Sequence, residues 1–147
     1  MSTHSYARCW LHLIWSTHNR EKSLPKNARK SLAHYFSEYA KEKQIYLRAN
    51  YVNADHVHAL IDLPSDYTIA DVVKLFKGSS SRWINEQGIV PGRFRWGRGY
   101  GAFSVSQSGV ERTVQYIQNQ EEHHRTKTSL EEFEEFLKGY ELENTNR

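Results

Sequence analysis

Residues 45–63, IYLRANYVNADHVHALIDL, are the stretch from which the fold can be worked out. Ile45 to Asn53 is rich in Tyr, Ile, Leu and Val, and His56 to Leu63 is a second run of this kind, which favours strands. Between them, Asn53-Ala54-Asp55 is typical of a turn. The stretch therefore predicts a β-hairpin whose second strand begins with a His-x-His pair.

The pattern continues on both sides of the hairpin. Arg8 to Trp15 is largely apolar at both alternating sets of positions, as expected of a central strand covered on both faces. Helices are predicted from Pro25 to about Lys43 and from Thr68 to about Gln87, because each has a favoured starting residue and apolar residues at helical spacing. Arg93 to Ser106 is predicted to be a broken strand.

The resulting order is β-α-β-β-α-β, followed by a helix from Ser108 to about His123 and an acidic helix over about 129–139. This order predicts an α+β fold of the ferredoxin-like type, shared with RRM domains, with an antiparallel sheet, helices on one face and additional C-terminal helices. We expect the other face of the sheet to be open to a ligand or a second subunit. A chain of 147 residues is expected to form one domain, residues 1–147.

Composition excludes several classes of protein. The chain has one cysteine, Cys9, which excludes an intramolecular disulfide and a Cys-rich zinc module. There is no run of about 18 apolar residues, so no membrane span is expected. Met1 to Ser5 lacks the charged and apolar regions of a signal peptide, and a cytoplasmic location is therefore expected.

Charge is distributed unevenly along the chain. Residues 1–120 carry 16 Lys and Arg against 9 Asp and Glu, whereas residues 121–147 carry 4 against 8. A basic body with an acidic tail is compatible with a polyanionic partner.

The His-x-His pair is the first candidate for a chemical site. Because side chains alternate along a strand, His56 and His58 are expected on the same face. Two imidazoles about 7 Å apart on one face can share a metal ion. Two surface histidines on a half-exposed strand are the alternative interpretation of the same pattern.

The second candidate is the pair Tyr116 and Gln120. They are four residues apart on a predicted helix, beside the apolar stripe of Val110, Val114 and Ile117. The helix therefore offers a phenol and an amide oxygen on one flank. Taken alone, the pair is also explained by a packing aromatic and a solvated amide.

Together these segments resemble the single-tyrosine HUH transposases of the insertion sequence 200/605 family. The matching segments are Leu13 to Arg20, Asp55 to His58, Phe76-Lys-Gly-Ser-Ser-Ser-Arg-Trp83, Trp96-Gly-Arg-Gly-Tyr100 and Tyr116-Ile-Gln-Asn-Gln120. The resemblance extends from about residue 6 to residue 124, and the acidic tail is the least characteristic part.

The resemblance implies a DNA transposase. Tyr116 would attack a DNA phosphodiester, giving a 5′-phosphotyrosine and a free 3′-OH, while His56, His58 and Gln120 hold a divalent ion, Mg²⁺ or Mn²⁺. The phosphotyrosine conserves bond energy, so a second 3′-OH can rejoin the strands. The resemblance also implies a homodimer in which the tyrosine helix of one chain serves the histidine pair of the other.

The substrate implied by the resemblance is single-stranded or hairpin DNA. Lys and Arg neutralise phosphates, and aromatic rings stack on unpaired bases. The expected DNA-binding residues are Lys74, Lys77, Arg82, Arg93, Arg95 and Arg98. Three aromatic residues lie beside them in sequence: Phe94, Trp96 and Tyr100. The alternative interpretation of Phe94 and Trp96 is that they are buried in the core.

Two other functions compete with this one. Arg98 to Val105 looks like an RNP1 motif with Ala102 in place of an aromatic, which suggests a non-catalytic RRM-like nucleic-acid-binding module. That motif lies on the third strand of an RRM, whereas here it falls in or near the fourth. A metal-dependent hydrolase using His12, His56 and His58 lacks a carboxylate at a recognisable spacing.

Overall fold

The computed structural model of the chain describes residues 5–142. Its strands are β1 (Trp10–Ser16), β2 (Tyr46–Val52), β3 (His56–Asp62) and β4 (Gly101–Ser104). Its helices are α1 (Lys26–Glu42), α2 (Ile69–Gln87), α3 (Val110–Gln118), α4 (Gln120–His123) and α5 (Ser129–Gly139). The two ends of the expected domain, residues 1–4 and 143–147, lie outside the described residues. Four of the five residues from Met1 to Ser5, which lack the features of a signal peptide, are among them.

The four strands form one antiparallel sheet in the order β2-β3-β1-β4. β2 and β3 pair as the predicted hairpin, and β1 is the central strand, with Leu13 opposite Ala59 on one side and Ala102 on the other. The predicted ferredoxin-like α+β fold is confirmed.

One face of the sheet packs against α1 and α2. The buried residues on that face include Leu13, Trp15, Val57 and Ile61, and the two helices contribute Phe36 and Phe76. Thr68 caps α2 through a capping box with Asp71, as expected for a threonine at a helix start. This side of the molecule is the main apolar core.

The opposite face is also covered, so the expectation of an open face is wrong. α3 packs Val110, Val114 and Ile117 against Trp10 and Leu60. α5 crosses the same face, where the Phe136 ring stacks on Phe103 and meets the edge of His12, both with ring centroids 5.0 Å apart. α3 and α5 therefore cover this face together.

The segment after α2 differs from the predicted broken strand over 93–106. Only Gly101–Ser104 forms strand β4, with an isolated bridge between Thr17 and Trp96. The Lys77 ammonium donates to the carbonyls of Gly97 and Gly99 at 2.7 and 3.0 Å, which holds this segment on α2 rather than on the sheet. Similarly, the predicted helix over 108–123 is interrupted at Asn119 and forms α3 and α4.

Among residues 5–142, no helix combines the length and apolar character that crossing a bilayer requires.

Candidate active site

The histidine pair lies on the face covered by α5. β3 places the side chains of His56 and His58 on this face, as the alternation predicted. They are 1% and 0% exposed, which excludes the interpretation as surface histidines. His12 lies behind the pair on β1, with Nε2 2.7 Å from His58 Nδ1.

Tyr116 and Gln120 approach the same histidines from α3 and α4. The Tyr116 ring centroid is 5.9 Å from that of His58, and the Gln120 side chain is fully buried. Gln120 Nε2 donates to the carbonyl of Tyr116 at 3.3 Å, so the interruption at Asn119 leaves the two side chains on one flank. The sequence-predicted tyrosine, glutamine and histidine pair are thus brought together within one chain.

The Glu132 carboxylate lies at the centre of this group. Its Oε1 is 2.9 Å from His58 Nε2 and 3.2 Å from His56 Nε2. Its Oε2 accepts a short hydrogen bond from the Tyr116 hydroxyl and one of 3.2 Å from Gln120 Nε2. Glu132 is 2% exposed, and it links the histidine pair to the tyrosine.

Two features of α5 fix the position of Glu132. Thr128 caps the helix and forms a capping box with Glu131, which sets where the first turn begins. Ser129 Oγ donates to Asp55 Oδ2 at 2.8 Å, which ties the start of α5 to the turn before β3. The acidic helix is therefore anchored at the site from its first turn.

His124 completes the group from the connection between α4 and α5. Its Nε2 is 3.3 Å from Glu132 Oε1 and 3.1 Å from Gln120 Oε1. Its Nδ1 donates to the carbonyl of Lys127 at 2.7 Å.

Burial and hydrogen bonding shift the pKa values of this group in opposite directions. Burial lowers the pKa of His58 to about 4. Burial also acts to lower the pKa of His56, but its hydrogen bonds to Asp55 and Glu132 outweigh burial and the pKa is raised. For Glu132, burial favours the neutral acid, yet the contacts with His124, His56 and His58 hold the pKa well below its ordinary value. Glu132 is therefore a carboxylate among imidazoles.

The Tyr116 phenol is held in its neutral form. Burial and then the hydrogen bond to the Glu132 carboxylate raise the pKa of Tyr116 well above its ordinary value. A neutral phenol is a weak nucleophile, so the arrangement seen here opposes attack by Tyr116.

The ligand atoms fit a divalent metal ion. One ligand atom each from His56, His58, His124 and Glu132 lies within 4.8 Å of all the others. Imidazole nitrogens together with a carboxylate oxygen are ligands that suit Mn²⁺, Co²⁺ and Zn²⁺.

Sequence reasoning identified His56, His58, Tyr116 and Gln120 but missed His124 and Glu132. Glu132 is one of four glutamates in α5, and its type alone does not distinguish it. Its spacing does, because position 132 is four residues before the apolar Phe136 and therefore shares the buried face of the helix. His12 is not at the centre of the group, which weakens the hydrolase alternative that used it as a third ligand.

Four of the six expected DNA-binding residues line two neighbouring cavities, which share Gly99 and Tyr100. Lys74, Lys77 and Arg95 line a cavity of about 500 Å³ together with Tyr100. Arg98 lines the adjoining cavity of about 420 Å³, and neither set of lining residues includes Arg82 or Arg93.

The three aromatic residues next to these cations in sequence are partly buried in the core and partly exposed. Phe94 and Trp96 are core residues, 3% and 8% exposed, and of the three aromatics only Tyr100 is well exposed. The RNP1-like stretch has its central aromatic, Phe103, buried under α5, so this ring is not available to bases. This placement weakens the RRM-like alternative.

A larger basic cavity was missed in the sequence. Its volume is about 740 Å³, and it lies between α1 and the connection from α4 to α5. Six cationic residues line it: Lys22, Lys26, Arg29, Lys30, Arg125 and Lys127. Asn53, Asp55 and His124 also line it, so the cavity leads directly to the histidine group. Its cations come from segments about 100 residues apart, which no local pattern connects.

Comparisons with known proteins place the chain in a family. Residues 5–120 match the family described as Transposase IS200 like. Curated transposases for insertion sequence element IS200, from Salmonella typhimurium and Salmonella typhi, are 23% identical to this chain over 122 residues, covering 80% of each protein.

Two solved structures share the fold. A crystal structure of a candidate transposase from Deinococcus radiodurans R1 has a TM-score of 0.63 and 27% identity, covering 82% of this chain and 96% of that one. The structure of a REP-associated tyrosine transposase bound to a REP hairpin has a TM-score of 0.61 and 16% identity, covering 84% and 74%. With more than two thirds of its length matched, and with the sheet and histidine pair in the arrangement described above, the chain belongs to the IS200-like transposase family.

Proposed function

We propose that this transposase cuts and rejoins single-stranded DNA through a covalent 5′-phosphotyrosine on Tyr116, assisted by a divalent metal ion. The observation that carries the proposal is the proximity of Tyr116 to His56, His58 and Gln120 in one buried cluster. A phenol beside a cluster of metal-ligand type is the combination that phosphoryl transfer by a tyrosine requires.

The reaction is a transesterification that needs no ATP. A bond forms between the Tyr116 oxygen and phosphorus, and the bond from phosphorus to the 3′ oxygen breaks. The phenolic proton is lost, and the departing 3′ oxygen takes up a proton. Attack by a second 3′-OH on the phosphotyrosine reverses these events and rejoins two strands.

His56, His58 and Gln120 are the proposed metal-binding residues, and Mg²⁺ or Mn²⁺ the proposed ion. When bound, such an ion offsets the negative charge that develops on the phosphate oxygens. Asp55 accepts from His56 Nδ1 at 2.7 Å, which orients that ring toward the cluster.

We propose that the cation-lined cavity binds the phosphates of a DNA strand that extends to the site. Its six cations outnumber its three carboxylates, Asp55, Glu121 and Glu131, which favours a backbone that carries one negative charge per nucleotide. His124 and Asp55 connect the cavity to the cluster. Lys74, Arg95 and Tyr100 form a second proposed DNA contact at the smaller cavity beside α2, where the exposed tyrosine ring can stack on a base.

The working unit is proposed to be a homodimer with active sites shared between chains. In the single chain, Tyr116 lies beside its own histidines, so sharing requires α3 to move away from them. The connection Gln107–Gly109 is a short turn of Gln, Ser and Gly where such a movement can begin.

Covalent capture tests the proposed chemistry. Incubation with labelled hairpin DNA and Mn²⁺ is expected to give a protein–DNA adduct that survives denaturation. Tyr116→Phe is expected to abolish the adduct while DNA binding stays within about twofold, because only the nucleophilic oxygen is removed. Gel electrophoresis in denaturant and a binding titration measure the two quantities.

Tyr46→Phe is the matched control, since Tyr46 is 53% exposed and lies on β2 away from the cluster. An adduct of undiminished yield from the Tyr116→Phe variant would assign the nucleophile to another residue and overturn the proposal.

A further inference from the structure

Two side chains that lie beyond the family-matched residues 5–120, His124 and Glu132, complete the histidine cluster. Glu132 Oε1 is 2.9, 3.2 and 3.3 Å from the Nε2 atoms of His58, His56 and His124. Atoms bound at about 2.0–2.1 Å to one tetrahedral metal ion lie about 3.3 Å from one another. The three contacts of Glu132 Oε1 are close to this spacing, and all four ligand atoms lie within 4.8 Å of one another.

The outer ring nitrogens show which atoms carry hydrogens. His124 Nδ1 is 2.7 Å from the Lys127 carbonyl, which can only accept, so this nitrogen donates. His56 Nδ1 is 2.7 Å from the Asp55 carboxylate, which accepts, so this nitrogen also donates. In the neutral rings, the Nε2 atoms of His56 and His124 then carry lone pairs.

The Asn53 amide donates to His56 Nε2 at 3.2 Å, but both ring nitrogens also face Glu132 Oε1, an oxygen that carries only lone pairs. Positive charge between these atoms removes the repulsion among their lone pairs. Protonating each ring would place several cations within 4.8 Å of one another, whereas one divalent ion satisfies all the atoms at once. Ring nitrogens held by a carboxylate and a carbonyl are also the usual support of metal-binding histidines.

We propose that His124 and Glu132 are metal ligands that, with His56 and His58, form a three-imidazole and one-carboxylate centre selective for a transition-metal ion. The inference rests on the proposed metal binding by His56 and His58, and in it His124 and Glu132 take the place of Gln120. Nitrogen ligands favour Mn²⁺, Co²⁺ and Zn²⁺ over Mg²⁺, which prefers oxygen ligands.

This ligand set has a consequence for α5. Glu132 is on α5 and its Oε2 accepts from Tyr116, so metal binding through Oε1 fixes the helix over the nucleophile. Four protein ligands also close the coordination shell, as in structural metal sites. With all four residues holding the ion, a DNA phosphate would have to replace one of them, and Glu132 would be released by a displacement of α5.

Cobalt titration of the full chain tests the ligand assignment. Co²⁺ is expected to give the intense visible absorption of four- or five-coordinate sites in the wild type. Glu132→Gln and His124→Gln are each expected to weaken Co²⁺ binding by more than about tenfold, because each removes a direct ligand. Glu134→Gln, an exposed glutamate on the same helix, is the control expected to match the wild type.

Hydrogen exchange provides a second readout that is independent of activity. Adding Zn²⁺ is expected to slow amide exchange in residues 129–139 of the wild type and of Glu134→Gln, but not of Glu132→Gln. Far-UV circular dichroism verifies that each variant is folded. If Glu132→Gln does not fold, His124→Gln decides the test, since that side chain is partly exposed and lies at a helix end.

The outcomes separate this inference from the proposed function. Wild-type Co²⁺ affinity in both Glu132→Gln and His124→Gln, together with loss of binding in His58→Ala, overturns the inference and leaves the proposed site intact. Undiminished binding in His58→Ala as well overturns both.

Discussion

Lys30 is exposed on the wall of the cation-lined cavity, and Lys41 is exposed on the same helix outside it. Lys30→Ala is expected to weaken binding of single-stranded DNA and to lower the slope of log affinity against log salt by about 0.7, the release of one counterion from a single strand. Filter binding or fluorescence anisotropy at several salt concentrations measures both quantities.

Lys41→Ala is the matched control, because Lys41 is paired with Glu38 at 3.6 Å and does not line the cavity. Equal salt slopes for the two variants would contradict a role of the cavity in phosphate binding.

At the residue scale, local spacing predicted part of the site. The alternation of a strand placed His56 and His58 together, and the four-residue spacing of a helix placed Tyr116 with Gln120. The spacing of Glu132 from Phe136 indicates only which face of α5 it shares, because its contact with the histidines depends on how α5 crosses the sheet. The buried state of the histidines was missed for the same reason, and replacing either one leaves a buried carboxylate with fewer partners. Losing a hydrogen-bond partner of this buried carboxylate lowers the free energy of unfolding by about 1–3 kcal/mol. Replacing a histidine exposed to solvent would lower it by less.

At the element scale, Gly101 determines how closely α5 approaches β4. A Cβ added at Gly101 would lie 2.7 Å from a ring carbon of Phe133 on α5 and 2.7 Å from one of Phe103. Gly101→Ala is therefore expected to push α5 outward and to destabilise the protein by about 1–3 kcal/mol, the usual cost of overpacking. Chemical denaturation gives the free energy, and hydrogen exchange in residues 129–139 locates the change.

Gly78→Ala serves as the comparison, because Gly78 lies in α2 with nothing within 4 Å of an added Cβ. This replacement should stabilise the protein by up to about 1 kcal/mol, since alanine is the better helix former. Destabilisation of similar size in both variants would mean that contact with α5 is not what constrains Gly101.

Helices and central strands were predicted with nearly correct ends. The predicted helix from Pro25 to about Lys43 is α1, Lys26–Glu42, and the two hairpin strands agree within two residues. Each of these elements has a strong period or a starting residue in its own sequence. The region of β4 has neither a strong period nor a favoured starting residue. Its backbone is positioned by hydrogen bonds from the Lys77 ammonium and by glycines that allow a turn.

At the scale of the whole molecule, the proposed dimer makes a complementation test possible. Tyr116→Phe and His58→Ala are each expected to be inactive alone. Differently tagged chains carrying one change each are expected to recover nicking when co-expressed, because one of the two shared sites then contains both wild-type residues. Covalent capture on hairpin DNA measures the recovery, and light scattering measures the dimer.

Sites assembled within single chains would give no recovery, since every chain lacks one essential residue. A monomer by light scattering at micromolar concentration, together with no recovery, would contradict the dimer and leave the site within the chain as described.

The turn before α3 has an optical consequence. The indole of Trp10 is 6% exposed and donates to Gln107 Oε1 at 2.8 Å, at the point where α3 would begin to move. Trp15, Trp83 and Trp96 belong to the core on the other side of the sheet. Displacement of α3 therefore exposes one tryptophan of four to water and shifts its fluorescence emission to the red, so the unlabelled chain reports the release of its own tyrosine helix.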